Sequence, residues 1–305
     1  MSDRPRIVLA GGSGFLGQAL ATHFATQGYE MVSLTRSPAT QPGPARAVAW
    51  DGFSLGPWRR ELDGAAALIN LAGKSVNCRY TPANRREIVA SRVNSVELLA
   101  QALRGCRTPP PIWVQAGSLA IYGDAGDRLC DENAPLGTGF SVETCLAWER
   151  AFDAAELPAT RRVMLRTGFV LGRDGGALEM LARLARLFLG GAAGSGRQYI
   201  SWLHLEDFNR VVGWCLDRPD ARGVYNTTGP EPATNAAFMR ALRRTLRRPW
   251  SPPIPAPAVR LGARLMGTEG SLALTGRRCL PRRLLDQGFV FRFPVLEPAL
   301  ADLFR

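Results

Sequence analysis

Seven residues near the amino terminus restrict the possible folds more than any other feature of the chain. Gly11-Gly12-Ser13-Gly14-Phe15-Leu16-Gly17 follows the apolar run Arg6–Ala10 and opens a segment with helical spacing at Phe15, Leu16, Ala19, Leu20 and Phe24. The loop reads as G-x-x-G-x-x-G from Gly11 and as G-x-G-x-x-G from Gly12. Glycine meets three demands there: a tight turn, approach of bare backbone to a pyrophosphate, and close contact between helix and strand. The helix N-terminus adds positive potential. A glycine pattern alone can mark a mere turn, but between a strand and a helix it predicts a dinucleotide site.

The same alternation continues. Apolar runs recur at Glu30–Thr35, Ala45–Ala49, Ala66–Leu71, Ile112–Ala116 and Arg162–Arg166, with helical stretches between them, most clearly Pro82–Leu103 and Ser141–Glu156. Near-continuous apolar strands separated by helices predict a parallel sheet covered on both faces. The expected fold is therefore α/β: a doubly wound Rossmann sheet over residues 1–172, partly interleaved with later segments. From Gly172 glycine-rich loops appear, with an extended segment at Tyr199–Leu203 and helices at Asp207–Leu216, Asn235–Leu246 and Pro257–Met266. Prolines punctuate the chain around Pro230-Glu231-Pro232 and from Pro249 to Pro257. Residues 173–305 thus read as a smaller, α-rich substrate or lid domain over the sheet's carboxyl edge.

Composition sets the outer limits. With 305 residues, 46% hydrophobic and 21% charged, the chain reads as a folded soluble protein rather than a disordered or collagen-like one. No run approaches the roughly 18 apolar residues of a membrane span, and Met1–Arg6 leads into a strand rather than a signal-peptide apolar region. The expectation is a cytoplasmic protein, monomer or homodimer, with no membrane partner. Six cysteines, at 78, 106, 130, 145, 215 and 279, form no C-x-x-C pair, which predicts reduced thiols and no metal site. The formal charge of +12 invites a nucleic-acid reading. However, only Lys74 among the 38 basic residues is a lysine, a bias that reads as coding preference rather than a selected stripe. Arg240, Arg243, Arg244 and Arg247 share one helical face, but no aromatic residues interleave with them for base stacking. A solvated basic face is expected, not a nucleic-acid site.

The end of the second run selects the cofactor. An NAD site places an acid here against the ribose 2′-hydroxyl, whereas this chain has Thr35-Arg36-Ser37, with Arg36 standing 19 residues beyond Gly17. A guanidinium attracts a 2′-phosphate and the neighbouring hydroxyls can complete its cradle, so the expected cofactor is NADP (NADPH). The alternative makes Arg36 one more surface arginine. At the end of the fourth run, the small residues of Asn70-Leu71-Ala72-Gly73 let backbone approach the adenine-side ribose and phosphates, or simply form a strand-to-helix turn.

With the glycine loop and Asn70–Gly73, the segments Ser118-Leu119-Ala120-Ile121-Tyr122-Gly123 and Arg166-Thr167-Gly168 stand in the order of the short-chain dehydrogenase/reductase superfamily. The chain resembles that superfamily's extended or atypical branch, with the sugar-nucleotide epimerases. The likeness sharpens to the bacterial group labelled epimerase family protein through Ser91-Arg92, Gly194–Tyr199, Ser201–Asp207 and Leu280–Leu284. From about Thr234, including Gly288-Phe289-Val290-Phe291, the chain is similar to that group's own C-terminal domain. The resemblance implies an NAD-dependent epimerase/dehydratase-like N-terminal domain and a nicotinamide cofactor. It places cofactor contacts at Thr35, Arg36, Leu71, Ala72, Glu87, Arg92 and Arg166. Arg92 and Arg166 suit phosphate or amide clamps, or else buried structural ion pairs. Glu87 can orient Arg92, five residues on, or hold a ribose hydroxyl.

Catalysis departs from the superfamily pattern. Members use a serine plus a tyrosine and lysine spaced Y-x-x-x-K on one helix face, the lysine lowering the phenol's pKa. Ser118, four residues before Tyr122, supplies the serine, but Ser141 falls at the tyrosine position and Cys145 at the lysine position. The remaining candidates near it are Tyr122, otherwise a packed aromatic, and Cys145, otherwise a small buried hydrophobe. Farther on, Tyr199, Trp202, His204 and Asp207 form a second group. His204 can move protons near neutral pH with Asp207 fixing its tautomer, or it packs structurally while Asp207 caps the helix ahead of Phe208. Arg197 and Gln198, with Trp202, are the expected substrate contacts, although Arg197 also suits a cofactor phosphate. His23 reads as packing or surface. Two functions follow: an NADP(H)-dependent, epimerase-like oxidoreductase acting on a small polar substrate through Ser118 with Tyr122 or His204, or a catalytically degenerate NADP(H) sensor.

Overall fold

The computed structural model describes residues 4–40, 43–173, 175–248 and 250–305. Its first half runs β1 (Arg6–Ala10), α1 (Phe15–Thr26), β2 (Glu30–Thr35), β3 (Arg46–Ala49), β4 (Ala67–Asn70), α2 (Pro82–Arg104), β5 (Ile112–Ser118), β6 (Leu129–Cys130), α3 (Phe140–Asp153) and β7 (Arg161–Thr167). The second runs β8 (Phe169–Leu171), α4 (Gly176–Arg186), β9 (Tyr199–Ile200), β10 (Trp202–His204), α5 (Leu205–Asp217), β11 (Gly223–Thr227), β12 (Ala233–Thr234), α6 (Asn235–Thr245), α7 (Ala256–Leu265), α8 (Ser271–Leu274), β13 (Arg278–Cys279), α9 (Arg282–Asp286) and α10 (Leu296–Leu303).

Seven strands form one parallel sheet in the order β11-β7-β5-β4-β1-β2-β3. Its central strand β4 is buried throughout, and β1 and β5 are buried over most of their length, because both faces are covered, which is why they read as apolar runs. On one face, Leu20, Ala21 and Phe24 of α1 and Phe208, Val211 and Val212 of α5 meet Ile7, Leu9 and Leu165. On the other, Val96, Leu99 and Leu103 of α2 and Trp148 and Phe152 of α3 meet Val8, Leu68 and Trp113. Each buried Leu, Ile, Val or Phe among them contributes about 1.5–3 kcal/mol through the apolar surface it removes from water. The helix α2 begins where Thr81 accepts a hydrogen bond from Asn84 N at 3.2 Å, with Pro82 at its first position.

The edge strand β11 comes from beyond residue 172, paired in register with β7 from Gly223↔Val163 to Thr227↔Thr167. The chain therefore returns to the sheet after starting its second layer, an interleaving the sequence reading allowed for but did not locate. A separate core joins α4, α6 and α10 through Leu178, Phe238, Leu242, Leu300 and Trp202. The short parallel pair β6 and β13 ties the C-terminal region back to the first half. No helix among the described residues is long and apolar enough to cross a membrane.

Candidate functional site

After β3 the chain crosses to the opposite side of β1 to lay down β4, so a crevice opens between the carboxyl ends of these two neighbours. The glycine loop sits at its mouth, and its four glycines serve different purposes. Gly11 turns with φ +78°, and a Cβ there would lie 2.9 Å from the Ala72 backbone. At Gly12 a Cβ would meet Ser33 Oγ at 2.4 Å, and at Gly17 it would lie 2.5 Å from Gly12 Cα, so both glycines are required by packing. Gly14 is exposed, has φ −79° and ψ 171°, and a Cβ there would approach nothing nearer than Gly11 O at 3.8 Å. Packing therefore leaves Gly14 unconstrained, and the space beside it lies open. Gly14 is also the N-cap of α1, which has no side-chain cap and no acidic residue in its first turn. Those N–H groups remain available to an anion.

Thr35 is buried at the end of β2 and accepts a hydrogen bond from Ser37 N at 3.3 Å. Arg36 next to it is exposed and makes no ion pair among the described residues. Asn70 shapes the adjoining wall: wholly buried, it donates to Gln115 Oε1 at 2.9 Å and accepts from Ala72 N at 3.0 Å. The Leu71-Ala72-Gly73 turn is thereby fixed beside Gly11.

Beyond β5 the candidates separate. Ser118 is half-buried and its Oγ accepts from Ala120 N at 3.2 Å, while its own proton has no acceptor among the described residues. Tyr122 is fully buried; its hydroxyl donates to Asn226 Oδ1 at 2.8 Å and accepts from Arg166 Nη1 at 2.9 Å. Burial pushes that phenol up to about 12 despite Arg166. It is therefore a packed hydrogen-bonding tyrosine, not an accessible base. Arg166 forms a bidentate pair with Glu149 at 2.8 Å through both Nε and Nη2, with the two side chains 8% and 12% exposed. Burial works against the charge of Arg166, but Glu149 outweighs it. Of the two readings for Arg166, the geometry thus gives the buried ion pair. Cys145 is inert, pushed up to about 11 by burial. Glu87 does not reach Arg92; it is exposed and ion-paired with Lys74. Arg92 lies against Gly73 with its guanidinium 5.1 Å from the Trp148 ring centroid.

In the second half, Trp202 is sealed in the core with Nε1 donating to Glu231 O at 2.7 Å, which overturns its expected substrate contact. A two-residue alternation could not distinguish core from pocket. His204 is the N-cap of α5: Nδ1 accepts from Glu206 N at 3.1 Å, and the ring stacks on Phe293 at 3.9 Å. Burial lowers its pKa, with Asp302, Asp207 and Glu206 opposing. Its role is structural, as is that of Asp207, which is fully buried and accepts from Arg292 N and Phe293 N at 2.8 Å each, binding the C-terminal segment. Asp207 is thus not the helix cap that its position suggested. Arg197 is exposed and faces Asp127 of the first half at 3.7 Å, while Gln198 Nε2 donates to Ala193 O and Ala273 O, so both side chains already have partners in the protein. His23 packs on α1 with Gln27 as its partner.

One element of the crevice escaped the sequence reading. Cβ atoms at Gly172, Gly175 and Gly176 would lie 2.4, 2.8 and 3.2 Å from the Phe15 ring, so these three glycines fit flush against the start of α1. The cluster of glycines was the available signal, but without Phe15 as its partner it read only as a loop.

Residues 7–227 match the NAD dependent epimerase/dehydratase family, and residues 254–303 match a domain of unknown function, DUF1731. Epimerase family protein SDR39U1 of Mus musculus is 34% identical over 305 residues, covering 98% of this chain and 99% of that protein. Epimerase family protein YfhF of Bacillus subtilis is 30% identical, covering 97% of each. The crystal structure of human epimerase family protein SDR39U1 (isoform 2) with NADPH superposes with a TM-score of 0.86 at 32% identity, over 98% of this chain and 99% of that one. Taken with the glycine loop, the switch-point crevice and the seven parallel strands, these matches show that the chain belongs to the NAD dependent epimerase/dehydratase family.

Proposed function

We propose that the protein is an NADP(H)-dependent oxidoreductase of epimerase type, transferring a hydride to or from a small polar substrate. The observation that carries the reading is Gly14: the one glycine of the loop that packing does not require stands beside open space at an uncapped helix N-terminus. A pyrophosphate fits there because bare N–H groups and the helix dipole favour it. Arg36, exposed and without an ion-pair partner among the described residues, suits the 2′-phosphate, with Thr35 and Ser37 beside it. Leu71, Ala72 and Gly73 would line the adenosine side. NADPH in the human relative supports the same choice. When bound, the nicotinamide supplies or accepts the hydride. Ser118, whose hydroxyl proton has no acceptor among the described residues, would polarise the substrate oxygen.

The sensor reading draws on the replacement of the tyrosine–lysine pair by Ser141 and Cys145 and on the locked hydroxyl of Tyr122. The cytoplasm is the compartment that suits six free thiols, and the working form is a monomer or homodimer. Enhancement of NADPH fluorescence tests the cofactor, and NADPH oxidation over a panel of carbonyl compounds and nucleotide sugars tests turnover. The enzyme reading expects a rate that Ser118→Ala abolishes while NADPH still binds. Tight binding with no turnover across the panel would favour the sensor.

A further inference from the structure

Arg92 is a mostly buried guanidinium with no carboxylate in ion-pair range among the described residues. Its Nη1 donates to Lys74 O at 3.0 Å and Ile88 O at 2.9 Å, and its plane lies between the Gly73 backbone and Trp148. A buried cation without a counter-ion is costly unless a ligand or a developing negative charge completes it. The acidic groups that face it are the thiol of Cys145 and the phenol of Tyr80. Cys145 occupies the position where the family's pattern has its lysine, and Arg92 of α2 sets a cation against α3 one turn further on, over Trp148.

Tyr80 supplies the other half. It lies at the end of the β4–α2 connection and is fixed at several points. Its N–H donates to Glu269 Oε1 at 2.6 Å, its carbonyl accepts from Arg85 Nε at 3.1 Å, and its ring meets Phe140 edge-on at 5.1 Å. That ring contact sets the half-buried Tyr80 against the first turn of α3, next to Ser141, the residue at the position of the missing tyrosine, whose side chain favours the Tyr80 phenolate. A phenol and a cation thus converge from the β4–α2 side on the stretch of α3 that lacks them.

We propose that Tyr80 is the proton donor of this site and that Arg92 steadies its phenolate, the pair replacing a tyrosine and lysine absent from α3. This inference rests on the NADP(H) reading. In the reduction of a carbonyl, the carbon takes a hydride from the bound nicotinamide and the oxygen takes the Tyr80 hydroxyl proton. The products are an alcohol, the oxidised nucleotide and a Tyr80 phenolate, which regains its proton from solvent. Burial holds the resting phenol above its ordinary value, against the pull of Ser141 and Arg92 and together with Cys78 and Glu269, so the donor form is the one present at neutral pH.

The test needs no known substrate. In protein labelled with 3-fluorotyrosine, the five tyrosines give fluorine resonances, and the one missing from Tyr80→Phe is assigned to Tyr80. NADPH, whose binding is followed separately by fluorescence, should shift that resonance. Arg92→Met should raise the phenol's titration midpoint, because the cation that opposes the effect of burial is lost. With 9,10-phenanthrenequinone as carbonyl probe, Tyr80→Phe should bind NADPH within about threefold of the wild type and lose about 100-fold or more of any oxidation rate. NADPH that binds yet leaves the Tyr80 resonance unmoved would overturn the inference alone, as would a full rate in Tyr80→Phe. Failure of the wild type to bind NADPH would overturn the cofactor reading and the inference with it.

Discussion

Gly14→Ala and Gly17→Ala add the same methyl group three residues apart, and the structure predicts opposite consequences. At Gly17 the new Cβ would lie 2.5–2.7 Å from the Cα, O and C of Gly12. These are backbone atoms that can yield only if α1 moves off β1, so the change should destabilise by about 3 kcal/mol or more. At Gly14 the backbone already has ordinary extended angles and the nearest atom is 3.8 Å away. Reduced freedom of the unfolded chain favours alanine there by about 0.4–1 kcal/mol, while loss of glycine at an N-cap costs about 0.5–1 kcal/mol. The two offset, and the melting temperature should stay within about 2 °C of the wild type. The same Cβ stands where a pyrophosphate must approach the N–H groups. Loss of one such charge-assisted hydrogen bond, about 1.5–3 kcal/mol, weakens NADPH binding about 10- to 100-fold. Thermal melts and NADPH fluorescence titrations of both variants separate the two effects. A Gly14→Ala protein that binds NADPH as tightly as the wild type would refute the assignment of that space to phosphate.

Other consequences concern the residues the structure withdraws from catalysis. Tyr122→Phe should cost about 1–3 kcal/mol in urea unfolding, because Asn226 Oδ1 is left buried without its donor, and should leave NADPH affinity unchanged. Asp207→Asn should cost about 2–3 kcal/mol by weakening two hydrogen bonds to the Arg292 and Phe293 amides and the ion pair with Arg210, and limited proteolysis should then clip near residue 292. His204 is held neutral by burial, its pKa lying below the ordinary 6.5. Below about pH 6.5 the unfolded chain therefore takes a proton that the folded chain resists, and stability should fall on acidification until the folded pKa is passed. His204→Asn, which keeps an N-cap acceptor, should flatten that dependence in urea melts between pH 7.5 and 5.

Legibility in the sequence followed the range of the interactions. The glycine loop, the buried strands and the longer helices are encoded locally, by periodicity and by the flanking turn residues, and α2 at Pro82–Arg104 lies within one residue of the expected Pro82–Leu103. The strand β11 was missed because Gly-Val-Tyr-Asn-Thr is short, starts on a glycine with φ +76° and has only Val224 and Tyr225 as apolar members. The helix α10 was missed because its eight residues carry Pro298 and their apolar face matters only once α4 and α6 are folded against it. In the site, Arg36 and the turn at Ala72 follow from distance along the chain. Tyr80 does not, because its place beside Ser141 depends on how the β4–α2 connection folds across α3. Trp202, His204 and Asp207 looked like a polar cluster in sequence, yet each is committed to a different neighbour: Glu231 O, Glu206 N and the Arg292–Phe293 amides.

Isothermal calorimetry of the wild-type protein against NADPH and NADH, repeated with Arg36→Ala, goes to the centre of the account. Seating of the 2′-phosphate by Arg36 predicts NADPH tighter than NADH by about 10-fold or more in the wild type, from a charge-assisted contact of about 1.5–3 kcal/mol, and near-equal affinities in the variant. Equal affinities in the wild type, or no heat with either nucleotide, would contradict it.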